Sequence, residues 1–417
     1  MRRNYIIPIS IISIILLSFG YGLKNTEDFV YFDDTTSFKS FTIGAPFASY
    51  FANTELVDKK IFSIAQDTNG NYILANKRGL IYFNSIEYNY IKTSGMPYKV
   101  KTDPYTGNIY VACNNSIGYL KFADSVYTYQ EISNKIDKFV GDVDIFFSNS
   151  EILFYYKDFI LNVQKNNITN IKITKPKYGQ FFGGIIQNKG KNYLLLIQNG
   201  IYELADGEIS DTPIHEISKA FEINFFIPFT EKTVFGTTDN EICIIEDSSF
   251  RLIEKSKMEY LNNKIVSGAV ALNNNVIAIS TLNGGILFFD LNTEKFVSLL
   301  DNFTGLPDNE VFTLFTDNEG GLVVSNNYGL FRFDYSLPIT NYSVYPGLEG
   351  KIIGSAFVDT TLYVLTTRGV YYLTKAKTID EVIKIVQQTE TSKNNSLSEN
   401  ITPNLSPNDI NEQIQED

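Results

Sequence analysis

Residues 305–334 read GLPDNEVFTLFTDNEGGLVVSNNYGLFRFD, and this stretch decides the fold class of the chain. An apolar strand is followed by an Asp/Asn/Gly turn at residues 317–320, a second strand, a tight turn that ends in Gly329, and a third strand. Similar units recur roughly every 40 residues, which is the length of one blade of a β-propeller. The sequence therefore predicts an all-β chain that forms a single β-propeller of four-stranded blades.

The turn between the second and third strands of each unit, the B–C turn, marks the blades. Eight such turns occur, at residues 78–79, 115–116, 157–158, 199–200, 240–241, 283–284, 328–329 and 368–369. Eight blades are therefore predicted, with a seven-bladed ring that contains one irregular unit as the alternative. The last unit has only three strands. Residues 38–43 (FKSFTI) alternate in polarity, and we expect this N-terminal strand to complete the last blade and close the ring.

The segments on either side of the propeller, which spans residues 38–374, have different compositions. Residues 1–22 begin with two arginines before an apolar run and are predicted to be a signal peptide, with an uncleaved anchor as the alternative. Residues 23–37 are a linker, residues 375–390 a short helix or linker, and residues 391–417 a disordered acidic tail. The predicted location is the periplasm or the cell surface, with membrane anchoring at the N-terminus if the signal is retained.

Composition excludes several classes of site. The formal net charge is −12 and no basic patch is sustained, so nucleic acid is not an expected partner. Cys113 and Cys243 fall on different units and are expected to be buried free thiols. The single histidine, His215, rules out a two-histidine catalytic or metal site and is expected to be structural. Residues 67–71 and 317–320 carry oxygen ligands that could bind Ca²⁺, but they recur at one repeat position and are interpreted as turns. No catalytic residue, metal or cofactor is predicted.

The B–C turns of a propeller gather around one mouth of its channel, which makes them the candidate ligand-binding site. Arg78, Arg368 and Tyr328 are the strongest candidates, because turn geometry does not require these residue types. Closure between the first and last blades would make the two arginines an anion-binding fork, with Tyr328 one blade away. The asparagines of these turns could bind a ligand too, but asparagine is also favoured by tight turns. They are Asn76, Asn115, Asn199, Asn283 and Asn327.

Residues 305–334 resemble the two-component regulator propeller repeat, and residues 61–80 resemble the first blade of such proteins. This family forms the extracytoplasmic sensor regions of bacterial hybrid histidine kinases and triple-tyrosine-motif regulators. The resemblance covers about residues 38–374, and it implies a non-enzymatic propeller that senses a ligand such as a glycan or a peptide in signal transduction. The chain departs from the pattern because it has no Trp and lacks the usual downstream triple-tyrosine, membrane and effector modules.

Two other functions are compatible with the same repeats. The alternative to a sensor is an envelope scaffold that binds another protein. A propeller lyase or hydrolase is the third reading, and it is disfavoured because the chain has one histidine where several basic residues around a metal would be expected.

Overall fold

The structure is a computed structural model of the 417-residue chain and is built almost entirely of β-strands. It describes residues 45–51, 60–133, 143–246, 249–302, 304–335, 337, 339–341, 348–359 and 361–372. The predicted signal segment, linker, strand 38–43, C-terminal helix and tail lie outside these residues. In the described part, no helix is long and apolar enough to cross a bilayer.

Six blades are formed by strands that follow one another in the sequence. We name the strands of a blade A to D from the channel outwards. Blade 1 contains β2 (Ile61–Gln66), β3 (Tyr72–Asn76), β4 (Gly79–Phe83) and β5 (Tyr88–Ile91). Blade 2 contains β6 (Pro97–Thr102), β7 (Ile109–Cys113), β8 (Ile117–Ala123) and β9 (Val126–Ser133). Blade 3 contains β10 (Val143–Phe147), β11 (Glu151–Tyr156), β12 (Phe159–Gln164) and β13 (Asn167–Thr174).

Blades 4 to 6 repeat this arrangement with two additions. Blade 4 contains β14 (Phe182–Asn188), β15 (Lys191–Leu196), β16 (Gly200–Ala205) and β17 (Glu208–Ile209), and β18 (His215–Glu216) also pairs with β16. Blade 5 contains β19 (Ile223–Pro228), β20 (Lys232–Thr237), β21 (Ile242–Glu246) and β22 (Ser249–Leu252). The 3-10 helix η1 (Lys255–Leu261) leads to blade 6, which contains β23 (Val266–Ala271), β24 (Val276–Thr281), β25 (Ile286–Asp290) and β26 (Lys295–Leu300).

Blade 7 is completed by a strand from the other end of the chain. Its first three strands are β27 (Val311–Thr316), β28 (Leu322–Asn326) and β29 (Gly329–Asp334), its fourth is β1 (Ala45–Tyr50), and β30 (Thr340–Asn341) pairs with the outer edge of β1. β1 runs antiparallel to β29, with Phe47 opposite Asp334 and Tyr50 opposite Phe331. An N-terminal strand thus closes the ring as predicted, but the strand is residues 45–50. Residues 38–43, which we predicted for this role, lie outside the described part of the chain.

Tyr50 shows that β1 occupies a true D-strand position. In blade 1 the Tyr90 hydroxyl donates to the carbonyl of the residue before Gly79 at 2.7 Å, and in blade 7 the Tyr50 hydroxyl donates to the carbonyl before Gly329 at 3.2 Å. Both glycines have φ in the left-handed region, +152° and +127°, as predicted for B–C turns. A Cβ on Gly79 would lie 2.8 Å from the Tyr90 ring, and one on Gly329 would lie 3.3 Å from the Tyr50 ring. The outer strand therefore covers the turn glycine in both blades.

Blades 7 and 1 are in direct contact, which settles where the ring closes. Thr313 Oγ1 donates to the Phe62 carbonyl at 3.0 Å, so the innermost strands of the two blades touch. The Tyr72 hydroxyl of blade 1 donates to Asp317 Oδ2 of blade 7 at 2.9 Å, and Arg332 Nε lies 2.5 Å from the same oxygen. All eight predicted units are present as sheets, and the ring closes with seven of them.

The eighth sheet consists of β31 (Ile352–Val358), β32 (Thr361–Thr366) and β33 (Gly369–Tyr372). It does not lie between blades 7 and 1, since these touch each other. Its apolar side chains are open on both faces: Phe357 is 73% exposed on one, and Val370 and Tyr372 are 65% and 64% exposed on the other. Nothing in the described structure lies within 4 Å of a Cβ built on Gly369. Among the described residues, the eighth sheet therefore has the form of a blade without the outer strand that covers blades 1 and 7.

The core of the ring lies between the blades. The B strands β3, β7, β11, β24 and β28 are buried along their whole length, because each is covered on both faces by neighbouring blades. This explains why they read as continuous runs of apolar and small residues. Cys113 at the end of β7 and Cys243 on β21 are buried and free, as predicted.

Candidate functional site

The asparagines of the B–C turns are used to build the turns and the loops beside them. Asn76 Oδ1 accepts the backbone N–H of Arg78 at 2.8 Å, which closes the turn of blade 1. Asn283 Oδ1 accepts the N–H of Ile265 at 3.0 Å, and its Nδ2 donates to the Asn263 carbonyl at 3.0 Å. The Asn283 side-chain amide therefore holds the loop that leads into blade 6.

The other three predicted asparagines also contact the protein. Asn327 Nδ2 donates to two carboxylates of the loop before β27, both at 2.8 Å. Asn199 Oδ1 accepts the hydroxyl of Tyr202. Asn115 packs against Gly95, and its buried Oδ1 has no hydrogen-bond partner among the described residues. These amides shape the mouth, and whether any also binds a ligand stays a prediction.

Arg78, Tyr328 and Arg368 expose their side chains, as Asn199, Asn283 and Asn327 do. Tyr328 is 60% exposed, and it lies on the blade that touches the blade of Arg78. Arg368 lies on the eighth sheet, where its Nη1 is 3.3 Å from Glu349 Oε2. The anion-binding fork predicted from Arg78 and Arg368 requires the eighth unit to lie next to blade 1. Blade 7 lies there instead. Arg78 and Tyr328 are therefore the pair on adjacent blades.

The channel wall contains a charged cluster that sequence analysis missed. Across the seven A strands, lysine, arginine, aspartate and glutamate occur only at Lys99 and Lys101 on β6 and at Asp144 on β10. Strand alternation points Val100, which is fully buried, toward blade 1 and points both lysines toward Asp144 of blade 3, beside the channel. The Lys99 and Lys101 side chains are each 29% exposed and that of Asp144 is 26% exposed.

Both lysines approach the same carboxylate oxygen. Asp144 Oδ1 lies 2.7 Å from Lys101 Nζ and 3.4 Å from Lys99 Nζ, and Lys101 also donates to the Ile145 carbonyl at 3.0 Å. Burial lowers the pKa of Lys101, and Asp144 opposes this shift. Burial would raise the pKa of Asp144, but Lys101 and Lys99 outweigh it and hold that pKa below its usual range. The cluster therefore brings the side chains of two lysines to one carboxylate.

Aromatic rings surround the cluster and the entrance above it. Lys101 Nζ lies 5.0 Å from the centre of the Phe146 ring and 5.6 Å from that of Phe226. These two rings, from blades 3 and 5, are 5.2 Å apart. Nearer the start of the A strands, Phe62 of blade 1 and Tyr98 of blade 2 are 5.6 Å apart and both partly exposed. The channel therefore offers cations and flat apolar surfaces together.

The residues considered for catalysis or metal binding have structural surroundings. His215 lies on β18 at the outer side of blade 4, with its ring 6.1 Å from that of Phe250, and not on the channel wall. Asp67 Oδ1 accepts the backbone N–H groups of residues 69 and 71, and Asp317 Oδ1 accepts those of residues 319 and 321. These carboxylates close the A–B turns, as the turn interpretation predicted.

Comparison with known proteins adds evidence about the fold. No protein-family model and no curated protein sequence matches the chain. Among solved structures, the chain is similar to the extracellular domain of the B. thetaiotaomicron protein BT3049, described as a hybrid two-component system (15% identity, TM-score 0.56, 80% of this chain and 50% of that chain). It is also similar to the extracellular domain of BT4673 from the same organism (14% identity, TM-score 0.51, 80% of this chain and 46% of that chain).

A third similar structure is a streptogramin B lyase (13% identity, TM-score 0.52, 69% of this chain and 97% of that chain). The chain spans about half the length of the two sensor domains. At such identities the likeness concerns the fold. This chain has the propeller fold of the extracellular domains of two-component systems, as its resemblance to the two-component regulator propeller family predicted.

Proposed function

We propose that this chain is a non-enzymatic, extracytoplasmic ligand-binding propeller of the kind used in signal transduction, and that it binds its ligand at the channel mouth. The observation that carries the proposal is that the residues of the B–C turns fall into two groups. Four of the five asparagines hold the turns and loops through their own hydrogen bonds, while turn geometry does not require the exposed side chains of Arg78 and Tyr328 on adjacent blades. A rigid rim with an exposed cation and an exposed ring suits a polar ligand such as a glycan or a peptide.

The comparisons support sensing more than catalysis. Two of the similar structures are extracellular domains of two-component systems, and one is a lyase. In this chain the single histidine lies on β18, which pairs with the outer part of blade 4. Export follows from the predicted signal segment, and mass spectrometry of the protein from its native cell should find a mature chain that begins near Leu23. An intact Met1 form in the cytoplasm would count against export.

A thermal-shift screen of the full exported chain against a library of sugars, oligosaccharides and peptides tests the proposal. A compound that binds only the folded state at 100 times its Kd adds about 2.7 kcal/mol to the free energy of unfolding. Arg78→Gln and Tyr328→Ala should each weaken the binding of a hit while leaving the melting temperature of the free protein nearly unchanged. Lys121→Gln, an exposed position on the outer part of blade 2, is the matched control. Hits that bind both mouth variants as well as wild type would place the site elsewhere.

A second candidate function is an envelope scaffold, and the eighth sheet favours it. This sheet exposes apolar side chains on both faces, and the edge of β33 has no outer strand in the described structure. An extended segment of an envelope protein could pair with β33, in the way that β1 pairs with β29. A photo-crosslinker placed at Val370 in the native cell should then give one defined adduct, and the same group at Lys121 should not. Equal labelling from both positions would argue against this function.

A further inference from the structure

We propose that Lys99 and Lys101 form an anion-binding site inside the channel, and that the ligand group it takes is a small organic carboxylate. This inference deepens the proposed function, on which it rests, by naming a second position and a chemical class for the ligand. It stands on the arrangement of three charged side chains in a wall that is otherwise free of charge.

The first argument is the charge balance of the cluster. Lys101 is fully engaged: it pairs with Asp144 at 2.7 Å, donates to a backbone carbonyl at 3.0 Å, and lies over two aromatic rings. Lys99 has a longer ion pair, 3.4 Å, to the oxygen that Lys101 already occupies. Two ammonium groups therefore share one carboxylate, which leaves one positive charge without a counter-charge in the described part of the channel wall. A second carboxylate would supply it.

The second argument is position. Both lysine side chains are partly exposed toward the channel, so an incoming group can reach them without any rearrangement of the strand. Val100 between them is buried in the core of the blade and fixes the strand register. Because Lys101 is held by its neighbours, Lys99 is the side chain that can turn toward a ligand.

The third argument concerns the rest of the ligand. Tyr98 precedes Lys99 on the same strand, and its ring is 5.6 Å from that of Phe62, with both rings partly exposed near the entrance. A carboxylate held by Lys99 would thus place the body of its molecule beside flat apolar surfaces. An organic carboxylate with a ring fits these surroundings better than a bare inorganic anion.

Benzoate and benzamide are suitable probes, since they share a ring and differ in charge. Titration calorimetry on the full exported chain should show benzoate binding in the millimolar range and benzamide at least about ten-fold more weakly. Lys99→Gln should weaken benzoate binding by about ten-fold, and Lys99→Arg should retain it within about three-fold, because the guanidinium keeps the charge. Lys121→Gln, the same substitution on the outside of the same blade, should leave the affinity unchanged.

Asp144→Asn should change benzoate affinity in the direction opposite to Lys99→Gln. A gain in affinity cannot be caused by a loss of folded protein. Removing the carboxylate leaves Lys99 without its ion pair, so benzoate should bind more tightly, by about three-fold. Absence of benzoate binding to the wild type at about 20 mM, or equal affinity for wild type and Lys99→Gln, would overturn the site. So would a weaker affinity of Asp144→Asn if that variant melts at the wild-type temperature.

The inference and the proposed function can fail separately. If the library screen yields a neutral ligand that depends on Arg78 and Tyr328 but not on Lys99, the binding propeller stands and the carboxylate site is wrong. If benzoate binding depends on Lys99 while no library compound depends on the mouth residues, the carboxylate site stands and the mouth is not where the ligand binds.

Discussion

The hydrogen bond between Tyr72 and Asp317 offers the most direct test of where the ring closes. The two residues are 245 positions apart, and their 2.9 Å contact joins blade 1 to blade 7. With an eighth blade inserted between these blades, the two side chains would not meet. A double-mutant cycle with Tyr72→Phe and Asp317→Asn therefore measures the closure itself.

The structure sets the expected magnitudes. Tyr72 is 5% and Asp317 3% exposed, so neither finds water as a replacement partner. A hydrogen bond to a charged acceptor contributes about 1.5–3 kcal/mol, and Tyr72→Phe should lower the free energy of unfolding by about that amount. Asp317→Asn should cost more, about 3–5 kcal/mol, because it also breaks the buried ion pair with Arg332. Since both changes remove the same hydrogen bond, we expect a coupling energy of about 1–2 kcal/mol.

Urea unfolding followed by far-UV circular dichroism is the assay, as the chain has no Trp for fluorescence. Tyr127→Phe is the matched control, because the Tyr127 hydroxyl donates to Asp67 at 3.1 Å between blades 2 and 1. Its effect should add to that of Asp317→Asn within about 0.5 kcal/mol. If Tyr72→Phe and Asp317→Asn were additive as well, although each destabilises the protein, closure between blades 7 and 1 would be refuted.

Three further predictions concern the closing strand, the thiols and the channel. Phe51→Ala should lower the free energy of unfolding by about 2–4 kcal/mol, because the Phe51 ring packs into the aromatic core of blade 1. Phe47→Ala, at a side chain 40% exposed, should lower it by less than about 1 kcal/mol. Equal losses in urea unfolding would contradict the described role of this segment. Cys113 and Cys243 should not react with a thiol reagent at pH 8 until urea unfolds the protein, because burial raises the pKa of both thiols, that of Cys243 to about 12; rapid labelling of the folded protein would count against it. The folded pKa of Asp144 lies below the unfolded value of about 3.9, so the stabilising effect of its carboxylate is present at neutral pH and is lost as the pH falls through the folded pKa. In calorimetry, Asp144→Asn should therefore lose less stability than the wild type as the pH is lowered. An unchanged dependence of stability on pH would contradict this.

The blades were predictable from the sequence because their turns have strict local requirements. Gly79 and Gly329 adopt backbone angles that other residues avoid, so they recur wherever a B–C turn is tight. Buried carboxylates at Asp67 and Asp317 mark the A–B turns in the same way. These signals act over a few residues, and a single sequence is enough to show them.

Ring closure was harder to predict because it depends on a pairing between the two ends of the chain. The sequence did contain a signal, since Tyr50 and Phe51 occupy the positions that Tyr90 and Ile91 occupy in blade 1. The prediction for residues 38–43, which lie outside the described residues, rests on their alternation and on their position before the first unit. Alternation shows that a segment can be a strand, but it does not show which edge the strand joins.

The channel lysines do not lie in the turns, where the sequence predicts the ligand-binding residues. Lys99 and Lys101 lie in the middle of an A strand, where the other blades have only uncharged residues. Their signal is the departure from the repeat, a pair of charges at positions that face the channel. The partner Asp144 could not be assigned to them, since it comes from the next blade and only the ring brings the three together.

The direction of β1 determines at which end of the ring the closing strand begins. β1 begins opposite Asp334, at the end of the ring where the A–B turns lie, and finishes at Tyr50 beside the B–C turn of blade 7. β1 therefore begins at the end of the ring opposite the channel mouth. A membrane tether on the N-terminal side would therefore act on the ring from the end opposite the mouth. A pull on the tether would load the hydrogen bonds between β1 and β29 in shear, all together, so the strand that closes the ring would also bear its mechanical tension.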